Sequence, residues 1–223
     1  MAQPHEESPD GLTRLALFPL NLVLFPGMEL PLHIFEERYK DMIGECLEQD
    51  VPFGVVLIKE GLEVGAPADP ERIGTSTRIL RSEILDQGRM NIVTKGERRF
   101  EIEEIIQRVP HVVGRVRFLG ALEGDGCAEL SPQINDEYIN LVKNLTALTG
   151  GYTSRVEIPE DPIELSYAIA GNLNLEPHLR QSLLVTETAA TRLFDLIPLL
   201  KQGNETLREQ ITKQNPFQGN RLN

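Results

Sequence analysis

Four histidines, two cysteines and six lysines bound the chemistry this sequence could carry. His33 and Glu37 stand four residues apart, a spacing that could place two metal ligands on one helical face. No third ligand accompanies them, and a local hydrogen bond or a helix-start histidine is the simpler reading. His5, His111 and His178 are scattered, and no HExxH occurs. None of the lysines (Lys40, Lys59, Lys95, Lys143, Lys201, Lys213) follows a glycine, so the G-x-x-x-x-G-K-[ST] phosphate cradle is absent from the sequence. Gly74-Thr75-Ser76 begins a G-x-S-x-G elbow and then meets Arg78 where the second glycine belongs. Cys46 falls in an apolar helical stripe and reads as a small buried hydrophobe. Cys127 lies in a Gly-rich stretch and is expected to be exposed, without a neighbouring His or Lys to lower its pKa. Carboxylates are abundant, but spread over helix faces they read as solvated surface. The sequence therefore predicts no catalytic residue, no metal site and no cofactor.

The charge balance narrows the partners. With 22 Lys+Arg against 34 Asp+Glu in 223 residues, the net charge is -12 and the sequence pI about 4.9, and both halves of the chain are acidic. Phosphate backbones are met by clustered Lys and Arg, so nucleic acid is an unfavoured partner. The apolar stretch Leu15–Phe25 is interrupted by Pro19 and Asn21 and falls short of the roughly 20 residues of a membrane span. Met1–Gly11 holds Glu6, Glu7 and Asp10 and no apolar run, so no targeting peptide is read there. Two cysteines make no disulfide framework. A cytoplasmic location with free thiols is expected.

The elements that must position any site follow from a change of hydrophobic period near Gly120. Before it, Leu15–Leu17, Val23–Phe25, Phe53–Lys59, Gly74–Leu85, Met90–Thr94, Glu97–Ile106 and Val112–Phe118 read as strands, with Asp86-Gln87-Gly88-Arg89 as a hairpin turn. Tyr39, Met42, Ile43, Cys46 and Leu47 form the stripe of one helix among them. Phe100 and Ile102 point to the core, with Arg99, Glu101 and Glu103 on the wet face. Gly61–Pro70 reads as a loop. Beyond a linker over Leu119–Leu130, the spacing becomes helical. One helix carries Ile134, Tyr138, Leu141, Val142, Leu145 and Leu148 up to Gly150-Gly151. A second starts at Asp161-Pro162, with Leu165, Ala168, Ile169 and Leu173 on one side. A third covers Pro177–Leu184, and a last runs from about Glu187 with Leu193, Leu196, Ile197 and Leu200, kinked at Pro198. The expected fold is α+β: a small antiparallel β-barrel with one inserted helix over 12–120, then a helical bundle over 130–213, with flexible tails at 1–11 and 214–223.

The segment Pro19-Leu20, Phe25-Pro26, Pro31-Leu32 resembles the "PL-x-x-x-x-FP-x-x-x-x-PL" opening of the N-terminal, substrate-binding domain of the Lon (La) ATP-dependent protease family. Gly88-Arg89 in the hairpin continues the likeness. So does Gly96-Glu97-Arg98-Arg99-Phe100 with Ile102, similar to that family's G-x-x-R-F/Y-x-I element. Gln181-Ser182-Leu183-Leu184 with Arg192-Leu193 is similar to its "KQ-x-LL…RL" segment, with Arg180 in place of the usual Lys. The resemblance implies a PUA-like barrel followed by a helical bundle, with Pro19, Phe25, Pro26, Pro31, Gly88, Gly96 and Arg99 as structural motif positions. Lon enzymes continue into an AAA+ ATPase and a Ser/Lys protease domain. Without those motifs in the 223 residues, a non-enzymatic module is expected, and a label such as peptidase S16 would describe ancestry. The resemblance implies binding of protein or unfolded peptide, in protein quality control, with a protease or chaperone as partner and a homo-oligomer left open. Candidate contacts are Phe35, Glu36, Glu37 and Arg38, because charges beside an aromatic at a helix start can meet a peptide both ways. The competing reading makes Phe35 a core staple and the charges solvated. PUA-like barrels also include RNA- and small-ligand-binding modules. Arg98, Arg99, Arg115 and Arg117 are the nearest basic cluster, though Glu97, Glu101 and Glu103 beside them favour cross-strand pairing.

Overall fold

The computed structural model describes residues 11–61, 68–151 and 156–214. The chain forms two compact units. Among the described residues, one takes in those up to Gly120 together with Glu176–Val185; the other holds those from Ala121 to Leu175 and from Thr186 to Gln214.

The first unit is a closed barrel. Its strands are β1 (Thr13–Leu20), β2 (Glu29–Ile34), β3 (Phe53–Glu60), β4 (Asp69–Pro70), β5 (Ile73–Ile84), β6 (Met90–Gln107) and β7 (Val112–Phe118). Neighbours run β1-β7-β6-β5-β3, and β1 also pairs with β3, which closes the ring. That last pairing is parallel, Leu17 to Gly54 through Leu20 to Leu57, where the sequence suggested an all-antiparallel barrel. Parallel neighbours need a long crossover, and helix α1 (Glu37–Gln49) lies between β1 and β3 in the chain. The inserted helix is thus part of barrel closure.

β1 is buried on both faces. Leu15 and Leu17 join Phe100, Ile102, Val112 and Val116 in one cluster. Phe18 and Leu20 join Tyr39, Met42 and Ile43 of α1 in another. Two buried faces explain why this strand is a continuous apolar run. The Phe18 and Tyr39 ring centroids are 4.0 Å apart. Phe100 is fully buried and fits because β3 and β5 present glycines to it. A Cβ at Gly54 would lie 2.6 Å, and one at Gly74 2.8 Å, from its Cζ.

Several elements differ from the sequence reading. Val23–Phe25 is buried but forms no strand. Its carbonyls are met from the side: Thr75 Oγ1 donates to Leu24 O at 2.6 Å. Met90–Thr94 and Glu97–Ile106 are one continuous strand, β6, whose register slips against β5 at Thr75/Thr77 and Ile79/Arg81. Arg99, placed on the wet face by alternation, is 5% exposed. Its guanidinium donates to Leu184 O at 2.7 Å and Gly120 O at 3.4 Å. The turn between β5 and β6 has positive φ at Gln87 (62°) and Gly88 (68°), a backbone that glycine adopts without Cβ strain. Of the loop expected over Gly61–Pro70, residues 62–67 lie outside the described residues, and Asp69-Pro70 pairs back onto β3. His5 and the expected tails, but for Gly11 and Gln214, lie outside them too.

Helix α4 (Pro177–Val185) belongs to this first unit, although it is flanked in the chain by helices of the second. Gln181 Nε2 donates to Ile73 O at 2.9 Å. Arg180 donates to Val23 O at 3.2 Å, and its guanidinium lies 5.0 Å from the Phe25 ring centroid. Burial lowers the Arg180 pKa from its ordinary value.

The second unit comprises α2 (Cys127–Leu148), α3 (Pro162–Asn172) and α5 (Ala189–Gln214). Asp161 Oδ1 accepts from Ile163 N at 2.7 Å, with Pro162 in the first turn, and Thr188 Oγ1 accepts from Thr191 N at the start of α5. The first is the N-cap the sequence suggested; the second is a further side-chain cap of the same type. Helix α2 begins at Cys127, directly after Gly126, rather than beyond Leu130, so the linker is shorter than expected. The thiol is buried rather than exposed, 3.5 Å from Glu123 O. Pro198 sits inside α5. Arg192 is 1% exposed. It donates to Ser166 Oγ at 2.7 Å and Thr186 O at 2.6 Å, and lies over the Tyr167 ring at 4.2 Å.

Candidate functional site

The four candidate contacts sit where β2 turns into α1. Ile34 is buried at the end of β2, and Glu36 takes the extended N-cap conformation with no side-chain cap bond. Phe35 between them is therefore turned out, 50% exposed, and is not a core staple. Its ring stacks on His33, centroids 6.1 Å apart and planes 23° from parallel. His33 Nδ1 lies 2.8 Å from Asn91 Oδ1 on the neighbouring strand β6.

The charges divide into two pairs. Glu36 and Arg38 are engaged with each other at 3.0 Å, their side chains only 19% and 14% exposed, and the Arg38 guanidinium lies 4.5 Å over the buried Tyr39 ring. Glu37 is 85% exposed and pairs with Lys40 at 2.7 Å; Lys40 also donates to Gln87 O at 2.8 Å, pinning α1 to the β5–β6 turn. The solvent-facing group is thus Phe35, His33 and Glu37: an aromatic stack with a carboxylate beside it. His33 and Glu37 lie on different elements, so their i, i+4 spacing places nothing on a shared helical face. Sequence spacing did not reveal the His33–Phe35 stack, because β2 itself was not read as a strand.

The motif positions Pro19, Phe25, Pro26, Pro31 and Gly96 lie on strands and turns of the barrel. Pro19 lies beyond Leu17, where β7 pairing ends, and Pro31 lies in β2, which pairs only with β6 among the described strands. Both are places where a ladder donor is dispensable. Phe25 is fully buried, and Pro26 leads into Gly27 at φ 82°. Gly96 N donates to Met28 O and Gly27 N to Gly96 O, at 2.9 and 2.8 Å.

Both thiols are free and buried. Burial, with a smaller contribution from Glu45, pushes the Cys46 pKa up to about 12. Burial, then Glu123, Glu129 and Asp161, raises that of Cys127. Among the described residues no three His, Cys, Asp or Glu converge as a metal site. The four arginines are engaged within the barrel: Arg117 pairs with Glu103 at 3.1 Å, Arg115 with Glu104 at 3.7 Å, Arg98 lies over Phe118 and Arg99 is buried. An open cleft of about 380 Å³ beside β4 is lined by Lys59, Glu60, Asp69, Arg72, Glu103, Glu104 and Arg108, among others. Its charges are mixed and Arg108 is tied to Asp69 at 2.7 Å.

His111 is a buried titratable group outside this site. Its Nδ1 has no hydrogen-bond partner among the described residues. Burial lowers its pKa; Glu45 opposes this, Arg14 reinforces it and Asp41 opposes it. The folded protein thus holds His111 neutral where the unfolded chain, near 6.5, begins to bind a proton. Protons then favour the unfolded state, so this contribution to stability is complete above about pH 6.5 and is lost as pH falls through the folded pKa. Urea unfolding from about pH 7.5 to 5 is expected to show a slope that flattens in His111→Leu relative to the unmodified protein; identical slopes would contradict it.

A family model described as the ATP-dependent protease La (LON) substrate-binding domain matches residues 14–202. The chain is 29% identical over 215 residues to a Lon protease of Cytophaga hutchinsonii, covering 89% of this chain and 26% of that protein. It is 28% identical over 213 residues to a Lon protease of Roseiflexus castenholzii, covering 92% and 26% respectively. The chain thus spans about a quarter of the length of these relatives. Among solved structures, a Lon N-terminal domain protein from Xanthomonas campestris superposes with a TM-score of 0.62 at 26% identity, covering 83% of this chain and 98% of that one. The N-terminal domain of a Mycobacterium avium complex Lon protease gives 0.61 at 18% identity, covering 84% and 98%, a likeness of fold.

Proposed function

The chain belongs to the Lon substrate-binding domain family, and from that premise we propose that it binds protein or peptide segments through Phe35 and Glu37 at the start of α1. The observation that carries this reading is Phe35 itself, a large aromatic held half out of the surface. Stacked on His33, it offers an apolar platform whose rotamer is already restrained, which lowers the entropy lost on binding. Glu37 beside it would favour segments that carry a basic residue near an apolar one. Glu36 and Arg38, bonded to each other, hold the platform.

The role proposed is recognition without catalysis: the family match covers a substrate-binding domain, and both thiols are held protonated by burial. The setting proposed is cytoplasmic protein quality control, with a protease or chaperone as partner. No described helix is long and apolar enough to cross a membrane.

Fluorescence anisotropy with a panel of labelled denatured peptides tests the site. Phe35→Ala is expected to weaken binding about fivefold to tenfold, the scale of a lost aromatic anchor worth about 1–1.4 kcal/mol. Glu37→Lys is expected to reverse the preference for basic peptides. Peptide affinities unchanged in both variants would refute the site. For RNA, the pairing of Arg115 and Arg117 with carboxylates supports the opposite expectation, no salt-sensitive binding at low ionic strength.

A further inference from the structure

Strand β5 outruns its neighbours. β3 pairs with it only from Phe53 to Val55, opposite Thr77 to Thr75, while β6 follows it to Ile84. Among the described residues no strand pairs with the other edge of β5 beyond Thr77. Leu80, Arg81, Ser82, Glu83 and Ile84 are all exposed, with Leu80 at 47% and Ile84 at 76%. A long edge with exposed apolar side chains invites pairing. The opposite edge of this three-stranded region is β2, which carries Pro31; β5 carries no such block.

The direction of the free backbone groups follows from the ladder. Leu85 N donates to Arg89 O at 2.7 Å. Hydrogen-bonded and non-bonded pairs alternate along an antiparallel ladder, so Glu83 and Arg81 turn their backbone groups toward Asn91 and Val93 of β6. Ser82 and Ile84 turn theirs outward.

The sequence of that edge is complementary to itself. If two copies of Leu80-Arg81-Ser82-Glu83-Ile84 run antiparallel about Ser82, Ser82 faces Ser82. Arg81 faces Glu83 in both directions, and Leu80 faces Ile84. The outward groups of Ser82 then meet each other as a hydrogen-bonded pair, and those of Ile84 meet Leu80, the extra residue of the bulge between Ile79 and Arg81. Arg81 is open to such a partner: its side chain is 74% exposed and its contact with Glu29 is long, 3.9 Å. We infer that β5 is the interface of a two-fold dimer, in which the Leu80–Ile84 edge of one copy pairs antiparallel with the same edge of a second copy. Such an interface is isologous and closes at two subunits.

Sedimentation velocity on the 223-residue chain tests this at ~0.15 M salt, where the Debye length of about 8 Å screens the acidic surface. A monomer–dimer equilibrium with a micromolar Kd is expected, visible up to roughly 100 µM. Ser82→Pro removes a donor that points away from β6, so the dimer should be lost while circular dichroism and thermal unfolding stay close to the unmodified protein. Arg81→Glu places like charges opposite each other twice, as does Glu83→Arg, and each should weaken the dimer by about tenfold or more. An equimolar mixture of those two variants restores both opposite-charge pairs and should dimerise again, as should the double variant R81E/E83R. These exposed residues keep the test valid if Ser82→Pro fails to fold. A monomer throughout the range overturns the inference, and so does a dimer indifferent to the charge reversals, or no recovery on mixing.

Discussion

Arg192→Ala is expected to lower the unfolding free energy by about 4 kcal/mol. Truncating a fully buried side chain of this size leaves a cavity, which costs about 2–5 kcal/mol for core residues generally. It also strips Ser166 Oγ and Thr186 O of their donor, and a buried acceptor left unmet adds about 1–3 kcal/mol. The stack over Tyr167 goes as well. Arg192→Met separates these contributions. It refills most of the volume and abandons the hydrogen bonds, so about half the loss should remain, because apolar replacements of buried charge are often tolerated. Urea denaturation followed by circular dichroism, with the m-value checked for constancy, reads both. Equal losses for Ala and Met would mean that packing contributes little at this position; no loss for Ala would contradict the burial.

Gly96→Ala should cost about 3 kcal/mol, near the upper end for overpacking. A Cβ there would stand 2.4 Å from Phe25 O and 3.2 Å from Thr75 Cγ2. The nearest atom is backbone, held by the reciprocal hydrogen bonds of Gly96 with Gly27 and Met28, so relief requires the Pro26–Gly27 turn to move off β6. The same methyl at Gly44, inside α1, meets nothing within 4 Å and should stabilise by up to about 1 kcal/mol, the glycine-to-alanine helix propensity. Opposite signs for one chemical change, read by thermal unfolding of the two variants, distinguish close approach from backbone entropy. A neutral Gly96→Ala would contradict the packing of the Phe25 turn against β6.

The helices were legible because their signals are local. Asp161-Pro162 caps α3 with its own side chain, and the Leu193, Leu196 and Leu200 stripe of α5 is wholly buried. The strands were legible wherever one or both faces bury apolar residues. What escaped depends on partners distant in sequence. Arg99 looked solvent-facing because alternation assigns it opposite Phe100; it is buried because Leu184 O, a carbonyl of α4, meets its guanidinium. Val23–Phe25 is as apolar as a strand, yet its carbonyls are satisfied by Thr75 and Arg180 rather than by a ladder. Cys127 looked exposed because it lies in a Gly-rich stretch assigned to the linker, but it is the first residue of α2. At the candidate site the residue types were readable and their division was not. Whether Glu36 or Glu37 is the solvent-facing carboxylate depends on which one Arg38 reaches.

The assignment of α4 to the barrel has a consequence for the order in which the chain can acquire its structure. The last strand, β7, ends at Phe118, but Leu184, whose carbonyl meets the Arg99 guanidinium, and Arg180, which donates to Val23 O, are not synthesised until the stretch from Ala121 onward has been added. At about 5–20 residues per second, elongation leaves the barrel without this support for several seconds. In that interval the Val23 carbonyl lacks its Arg180 donor and the Arg99 guanidinium lacks the Leu184 carbonyl, while the Leu80–Ile84 edge is already displayed. The first unit is therefore complete only after α2 and α3 of the second unit have been synthesised.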